Sequence, residues 1–97
     1  MAGYVIAEVE VTDPVLFEQY RAGVPATVAA HGGRYVVRGG AVTRVEGDWN
    51  PKRLIILEFP SVAVAKAWHD GPAYAPLLAM RERSARSKVI IVEGYTP

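Results

Sequence analysis

The chain has 97 residues, 51% hydrophobic and 22% charged, and its 11 basic and 10 acidic side chains leave a formal net charge of +1. This length and composition predict one folded domain spanning residues 1–97, and the balanced charge argues against a nucleic-acid partner. The absence of cysteine excludes disulfides and thiolate metal ligands and is consistent with a cytoplasmic location. We expect no signal peptide, because the N-terminus lacks a basic segment and Glu8 interrupts its apolar run. We expect no membrane contact, because no apolar run approaches the ~20 residues that cross a bilayer.

The first half of the chain predicts a strand, a helix and a second strand. Residues 4–11 alternate apolar and polar side chains, which indicates a strand with one buried face. Asp13 followed by Pro14 predicts a helix start, because the carboxylate caps first-turn amides and proline lacks a first-turn N–H. Apolar residues then recur at helical spacing. Pro25 is expected to kink this helix, and Gly32 is expected to end it in a left-handed conformation.

The second half completes a recognisable order of elements. We predict a strand at 34–43, a turn at 46–51, a strand at 53–59, a helix from 60 interrupted at 70–72, and a strand at 88–95. This order predicts an α+β, ferredoxin-like βαββαβ fold with a four-stranded antiparallel sheet and its helices on one face. The other face would expose valine, isoleucine and leucine. A second copy of the sheet is the simplest cover, which predicts a homodimer.

Short motifs along the whole chain resemble a known family. They are Asp13-Pro14, Gly32-Gly33-Arg34-Tyr35, Arg38-Gly39-Gly40, Glu46-Gly47-Asp48-Trp49, Glu58-Phe59-Pro60-Ser61, Ala67-Trp68, Pro72-Ala73-Tyr74 and Arg81. In this order they are similar to a bacterial family known as domain of unknown function 1330. The resemblance implies two subunits that form a dimeric α/β barrel, within a group that includes cofactor-independent monooxygenases, isomerases and haem enzymes. It implies no settled reaction, and His69-Asp70-Gly71 departs from the family pattern of a tyrosine followed by serine or aspartate.

Two charged side chains, Arg38 and Glu58, lie inside otherwise apolar strands. A hairpin centred on Asp48 would place them directly opposite each other, close enough for a charge-assisted pair. One interpretation is an ion pair that fixes the hairpin register. Another is a catalytic site in which Glu58 accepts a proton and Arg38 binds an enolate or carboxylate. A third treats them as two unrelated surface charges.

Four aromatic residues are candidate ligand contacts: Tyr20, Trp49, Trp68 and Tyr74. Trp68 and Tyr74 lie at core-facing helical spacing, so core packing is their alternative role. Trp49 lies in a polar turn, where a dimer contact is the alternative to a lid over a pocket.

His69 is a candidate general base beside Trp68, because histidine titrates near neutral pH. Alternatively, His69 only stabilises the helix, because it lies at the C-terminal end, where the helix dipole is negative. No spacing of histidines and carboxylates predicts a metal site, no glycine pattern predicts a phosphate loop, and we expect no cofactor.

These patterns leave two hypotheses of different kinds. In the first, a small enolisable molecule binds between sheet and helices and undergoes proton transfer or cofactor-independent oxidation. In the second, the protein is a non-catalytic ligand-binding or structural dimer in which Arg38 and Glu58 form a structural pair. Whether the protein is an enzyme is left open by its residues.

Overall fold

A computed structural model describes residues 1–97, and its elements follow the predicted order. They are β1 (Gly3–Val11), α1 (Pro14–Ala30), β2 (Arg34–Arg38), β3 (Leu54–Phe59), α2 (Val62–Asp70), α3 (Ala75–Ser84) and β4 (Ala85–Glu93). The strands form one sheet in the order β2-β3-β1-β4, and every neighbouring pair is antiparallel. The ferredoxin-like α+β fold predicted from the sequence is confirmed.

The helix ends form where the local sequence signals placed them. The Asp13 carboxylate accepts a hydrogen bond from the Leu16 amide at 3.1 Å, and the Ser61 hydroxyl accepts one from the Val64 amide at 3.1 Å. Each bond satisfies an amide of the first turn that has no partner within its helix. Gly32 ends α1 with a φ of +70°, a conformation in which glycine has no Cβ to clash.

The second strand is shorter than predicted. It ends at Arg38 rather than at residue 43, and residues 39–53 connect β2 to β3 without regular structure. Gly39 has a φ of +69°, which turns the chain out of the extended conformation directly after β2.

The last strand begins at Ala85, earlier than the predicted span 88–95. The carbonyl of the fully buried Ser84 accepts hydrogen bonds from the amides of Thr12 at 2.8 Å and Asp13 at 3.0 Å. These bonds tie the end of α3 to the end of β1, so pairing of β4 with β1 starts without a connecting loop.

The core lies between the helices and one face of the sheet, which we call the inner face. Its buried apolar residues are Val5, Ala7, Val9, Phe17, Val24, Val28, Leu57, Phe59, Ala65, Trp68, Tyr74 and Ala85. The Trp68 ring lies 5.2 Å from the ring centre of Phe59 and 4.3 Å from that of Tyr74. Its indole N–H donates to the Thr27 hydroxyl at 3.0 Å. Trp68 and Tyr74 are therefore core residues, whatever else they contact.

The opposite, outer face of the sheet is covered by no part of the chain. Ile6 of β1 lies directly between Ile56 of β3 and Ile90 of β4, and Val92 extends the apolar surface along β4. Ile90 is 59% exposed and Val92 43%. This is the apolar face that the sequence predicts.

None of the helices combines the length and the apolar composition that a bilayer crossing requires.

Candidate functional site

The predicted pairing of Arg38 with Glu58 is wrong. Glu58 lies opposite Arg34, and Arg38 lies opposite Ile55, because the hairpin is centred near residue 46 rather than on Asp48. The register also shifts by one residue between Tyr35 and Val37. The extra residue in β2 is a β-bulge, and one inserted residue moves every following side chain to the other face of the sheet. Arg38 therefore faces the helices, whereas Glu58 faces outward.

Glu58 is the acceptor in a cluster on the outer face. Its carboxylate accepts a hydrogen bond from the Tyr4 hydroxyl at 2.8 Å and another from the Arg34 Nε at 2.8 Å. These two bonds hold the pKa of the Glu58 carboxyl below its usual value, and the same carboxylate raises the pKa of Tyr4. Glu58 is thus held in its ionised form, which suits an acceptor that orders the sheet surface.

Replacing Arg34 with glutamine is expected to raise the pKa of Glu58 toward its usual value, because one of the two donors is lost. The matched control is Arg38→Gln, which removes the same charge from the other face and should leave that pKa unchanged. Both values can be followed by NMR titration of the glutamate side-chain carbons. Since the folded-state pKa is lowered, the stabilisation is present above the usual carboxyl pKa and is lost as the pH falls through the lowered value. A larger response to Arg38→Gln than to Arg34→Gln would contradict this assignment.

A cavity of about 40 Å³ lies between the inner face and the helices. It is lined by Val5, Ala7, Val9, Phe17, Tyr20, Arg21, Val24, Tyr35, Arg38, Arg53, Ile55, Leu57, Trp68, Tyr74 and Arg81. Aliphatic side chains of the central strands form one wall and aromatic rings much of the remainder. The polar groups are tyrosine hydroxyls and four arginines, and no carboxylate lines the cavity.

Three side chains form a hydrogen-bonded chain at this cavity. The Tyr20 and Tyr74 hydroxyls are 2.7 Å apart, and Arg81 Nη1 donates to the Tyr74 hydroxyl at 3.3 Å. Burial, together with the neighbouring Tyr20, raises the pKa of Tyr74, and burial also raises the pKa of Tyr35. The Tyr74 and Tyr35 hydroxyls therefore stay protonated at neutral pH, so they can donate hydrogen bonds to a developing negative charge.

The position of Arg38 follows from a proline in α1. The helix continues past Pro25, which has no N–H to donate to the carbonyl of Arg21, four residues earlier. Arg38 Nη2 donates to that carbonyl at 3.3 Å. The guanidinium carbon of Arg38 also lies 4.6 Å from the centre of the Tyr35 ring, within the range of a cation–π contact.

Arg53 reaches the cavity from the start of β3 in a similar way. Its guanidinium carbon lies 5.3 Å from the centre of the Phe17 ring. A Cβ at Gly39 would approach Arg53 Nε to 3.3 Å, so glycine leaves space for this side chain as well as permitting the turn. Two arginines from adjacent strand ends are thus held by aromatic faces and a carbonyl rather than by carboxylates.

The structure brings four of the seven predicted site residues to this cavity: Tyr20, Arg38, Trp68 and Tyr74. Glu58 is separated from it by the sheet. Trp49 lies in the loop between β2 and β3 and is 60% exposed.

His69 lies beside the cavity without lining it. Its ring centre is 5.7 Å from that of Tyr74, and its Nδ1 contacts the Asp70 carboxylate at 2.9 Å. Because a carboxylate only accepts, Nδ1 donates in this contact and Nε2 is left as the basic nitrogen.

Four polar cavity residues were not singled out as site residues from the sequence: Arg21, Tyr35, Arg53 and Arg81. Period-two alternation along β2 gave a usable signal for Tyr35, because it alternates with outward-facing neighbours. No group of three or more histidine, cysteine or acidic side chains is arranged to hold a metal ion.

Comparison with known proteins identifies the family. The sequence model of the family described as domain of unknown function (DUF1330) matches residues 2–95, and the chain belongs to this family. No curated protein matches the chain.

The fold is shared with several solved structures. A protein of unknown function from Rhodopseudomonas palustris has a TM-score of 0.78 and 18% identity, over 99% of this chain and 84% of its own. A dimeric ferredoxin-like protein of unknown function from Jannaschia has a TM-score of 0.72 and 15% identity, over 97% of this chain and 100% of its own. SnoaB from Streptomyces nogalater, described as a cofactor-independent oxygenase, has a TM-score of 0.61 and 14% identity, over 99% of this chain and 94% of its own. At these identities the likeness shows the ferredoxin-like fold alone.

Proposed function

We propose that this member of the DUF1330 family binds a small organic molecule in the cavity between its sheet and its helices. The observation that carries the proposal is the hydrogen-bonded chain of Arg81, Tyr74 and Tyr20 at a cavity whose walls are mostly apolar. A few convergent polar groups in an apolar concavity are typical of ligand sites.

We propose further that one domain of residues 1–97 forms each subunit of a cytoplasmic homodimer. The absence of cysteine is consistent with that location.

The chemistry that this site supports best is removal of a proton from an enolisable compound. The enolate oxygen would receive hydrogen bonds from the protonated Tyr74 hydroxyl and from Arg81, which stabilise the charge as it develops. His69, whose ring centre lies 5.7 Å from that of Tyr74, keeps its proposed role as proton acceptor, with Asp70 orienting its ring. Glu58 has no such role here, because it lies on the other face of the sheet. Dioxygen could oxidise the same enolate without a cofactor, and the description of SnoaB lends support to that second step.

The test begins with thermal unfolding in the presence of carboxylates, phenols, 1,3-diketones and their neutral counterparts. Compounds that raise the melting temperature are then followed by NMR for exchange of their acidic C–H protons with deuterium oxide. We expect Tyr74→Phe to slow that exchange by about 100-fold, because one donor to the enolate is lost while the ring remains.

The control variant is Tyr95→Phe, since Tyr95 is exposed outside all secondary structure. Equal exchange rates for the two variants would contradict the role of Tyr74. Failure of every compound to raise the melting temperature would favour the second function below.

A non-catalytic structural dimer is the second candidate function. The observation that favours it is the small size of the cavity, because Trp68 and Tyr74 already fill most of the space under the helices. In this function the pair that orders the sheet is Arg34 with Glu58 rather than Arg38 with Glu58.

The homodimer is proposed to form by contact of two outer sheet faces. Support comes from the exposed apolar side chains of that face and from dimeric ferredoxin-like proteins of similar fold. The cluster of Tyr4, Arg34 and Glu58 would then lie at the subunit contact, where three mutually satisfied polar groups can be buried at low cost.

A further inference from the structure

Charge is unevenly distributed around the cavity. The chain carries nearly equal numbers of basic and acidic side chains, 11 and 10. Four arginines nevertheless line this one cavity, and none of the acidic residues does. Such a concentration of one sign raises the local potential and attracts the opposite charge.

Three of these arginines make no ion pair. Arg21 contacts Glu18 at 3.3 Å on the exposed side of α1, but Arg38, Arg53 and Arg81 contact no carboxylate. Arg38 and Arg53 instead lie over the Tyr35 and Phe17 rings. A guanidinium has five N–H donors in a planar fork, and a cation–π contact uses its face rather than those donors.

We infer that the ligand of this cavity is a small anion with a flat apolar body, such as an aromatic carboxylate, whose charge is bound by Arg38 and Arg53. The inference rests on the proposed function and names the class of ligand that the site selects. The apolar body contacts the aliphatic and aromatic wall, and the carboxylate takes up N–H donors that the protein leaves free. A guanidinium fork matches a carboxylate in geometry as well as in charge.

The cavity must widen to admit such a ligand. Its volume is about 40 Å³, whereas an engineered cavity that binds benzene measures about 150 Å³. Arg38 is exposed and Arg53 is half-buried, so both long side chains can swing toward solvent while the backbone stays in place. The same movement brings their donors around an entering carboxylate, which couples opening of the site to recognition of the charge.

The test uses three probes that share one ring and differ in charge: benzoate, benzamide and benzylammonium. Isothermal titration calorimetry measures the affinity of each for the full chain. We expect benzoate to bind at least about tenfold more tightly than benzamide, and benzylammonium to bind least, because only the anion gains charge-assisted hydrogen bonds. The preference for benzoate should shrink as salt is added.

Substitutions then assign the charge to particular residues. Arg38→Gln and Arg53→Gln are each expected to lower the benzoate affinity by about tenfold and to leave the benzamide affinity unchanged. Arg83→Gln is the control, because Arg83 is an exposed arginine outside the cavity, and it should change neither. Thermal unfolding of each variant checks that the fold is retained.

The outcomes separate this inference from the proposed function. Benzamide binding as tightly as benzoate would overturn the anion preference and leave small-molecule binding intact. A benzoate preference that survives both cavity substitutions would overturn the assignment to Arg38 and Arg53. If neutral compounds of the thermal panel bind and no carboxylate does, the anion inference fails and the proposed function stands. If no compound of the panel binds, both the inference and the proposed function fail.

Discussion

Replacing Trp68 with alanine is expected to lower the free energy of unfolding by about 3–5 kcal/mol. The side chain is 2% exposed and its ring contacts those of Phe59 and Tyr74. Truncation removes this burial, leaves a cavity that the surrounding elements fill only in part, and deprives Thr27 of the indole donor. Chemical denaturation, with the midpoint and slope fitted separately, measures the change.

Trp68→Phe is the matched control, because it keeps a large ring and loses only part of the burial together with the indole N–H. We expect a clearly smaller loss of stability for it. The alanine variant should also be stabilised by indole, which can occupy the space that the side chain vacates, as small aromatics do in engineered apolar cavities. A loss below about 1 kcal/mol for Trp68→Ala would contradict the core position of this ring, since that is the range of surface substitutions and mild core changes.

The elements that sequence reasoning predicted correctly are those specified by local chemistry. Asp13 caps the helix that follows it, and Gly32 takes the left-handed conformation that ends α1. Each signal acts within a few residues of where it lies, so no knowledge of the tertiary fold is needed to interpret it. Alternation along β1 likewise predicts a strand with one buried face, which Val5, Ala7 and Val9 form in the structure.

The register of β2 against β3 could not be predicted because its cause is not local. The bulge between Tyr35 and Val37 occurs in a run of ordinary strand residues. The connection of residues 39–53 is too long for a tight turn to impose the register. Arg38 therefore reaches the cavity for a reason other than the predicted one. It lies there because a bulge turns it inward and because Pro25 leaves the Arg21 carbonyl free to accept its N–H.

The cavity residues likewise include some that local sequence patterns could predict and some that they could not. Tyr20, Trp68 and Tyr74 could be found from helical spacing, because an inward-facing aromatic on a helix contacts the sheet in any fold of this class. Arg53 could not, because its partner comes from an element distant in sequence: Phe17 of α1 lies under its guanidinium. Arg81 donates to the Tyr74 hydroxyl seven residues earlier in the chain, so helical spacing was a usable signal for it.

Replacing Ile90 with glutamate is expected to convert the proposed homodimer into monomers, raising its dissociation constant by at least about 1,000-fold. Ile90 lies on the outer face in line with Ile6 and Ile56. A symmetric contact between two outer faces would bury the new carboxylate twice, once from each subunit, in place of an apolar side chain. Sedimentation equilibrium over a range of protein concentrations measures the dissociation constant.

Val15→Glu is the matched control, because Val15 is also an exposed apolar residue, 74% accessible, but lies on α1, on the helical side of the sheet. It carries the same change in charge and should leave the dimer intact. Both residues are exposed in a single subunit, so neither variant should unfold it, and circular dichroism of the monomeric Ile90→Glu protein would separate dissociation from unfolding. A dimer that survives Ile90→Glu, or one that Val15→Glu dissociates equally, would contradict an interface formed by the outer faces.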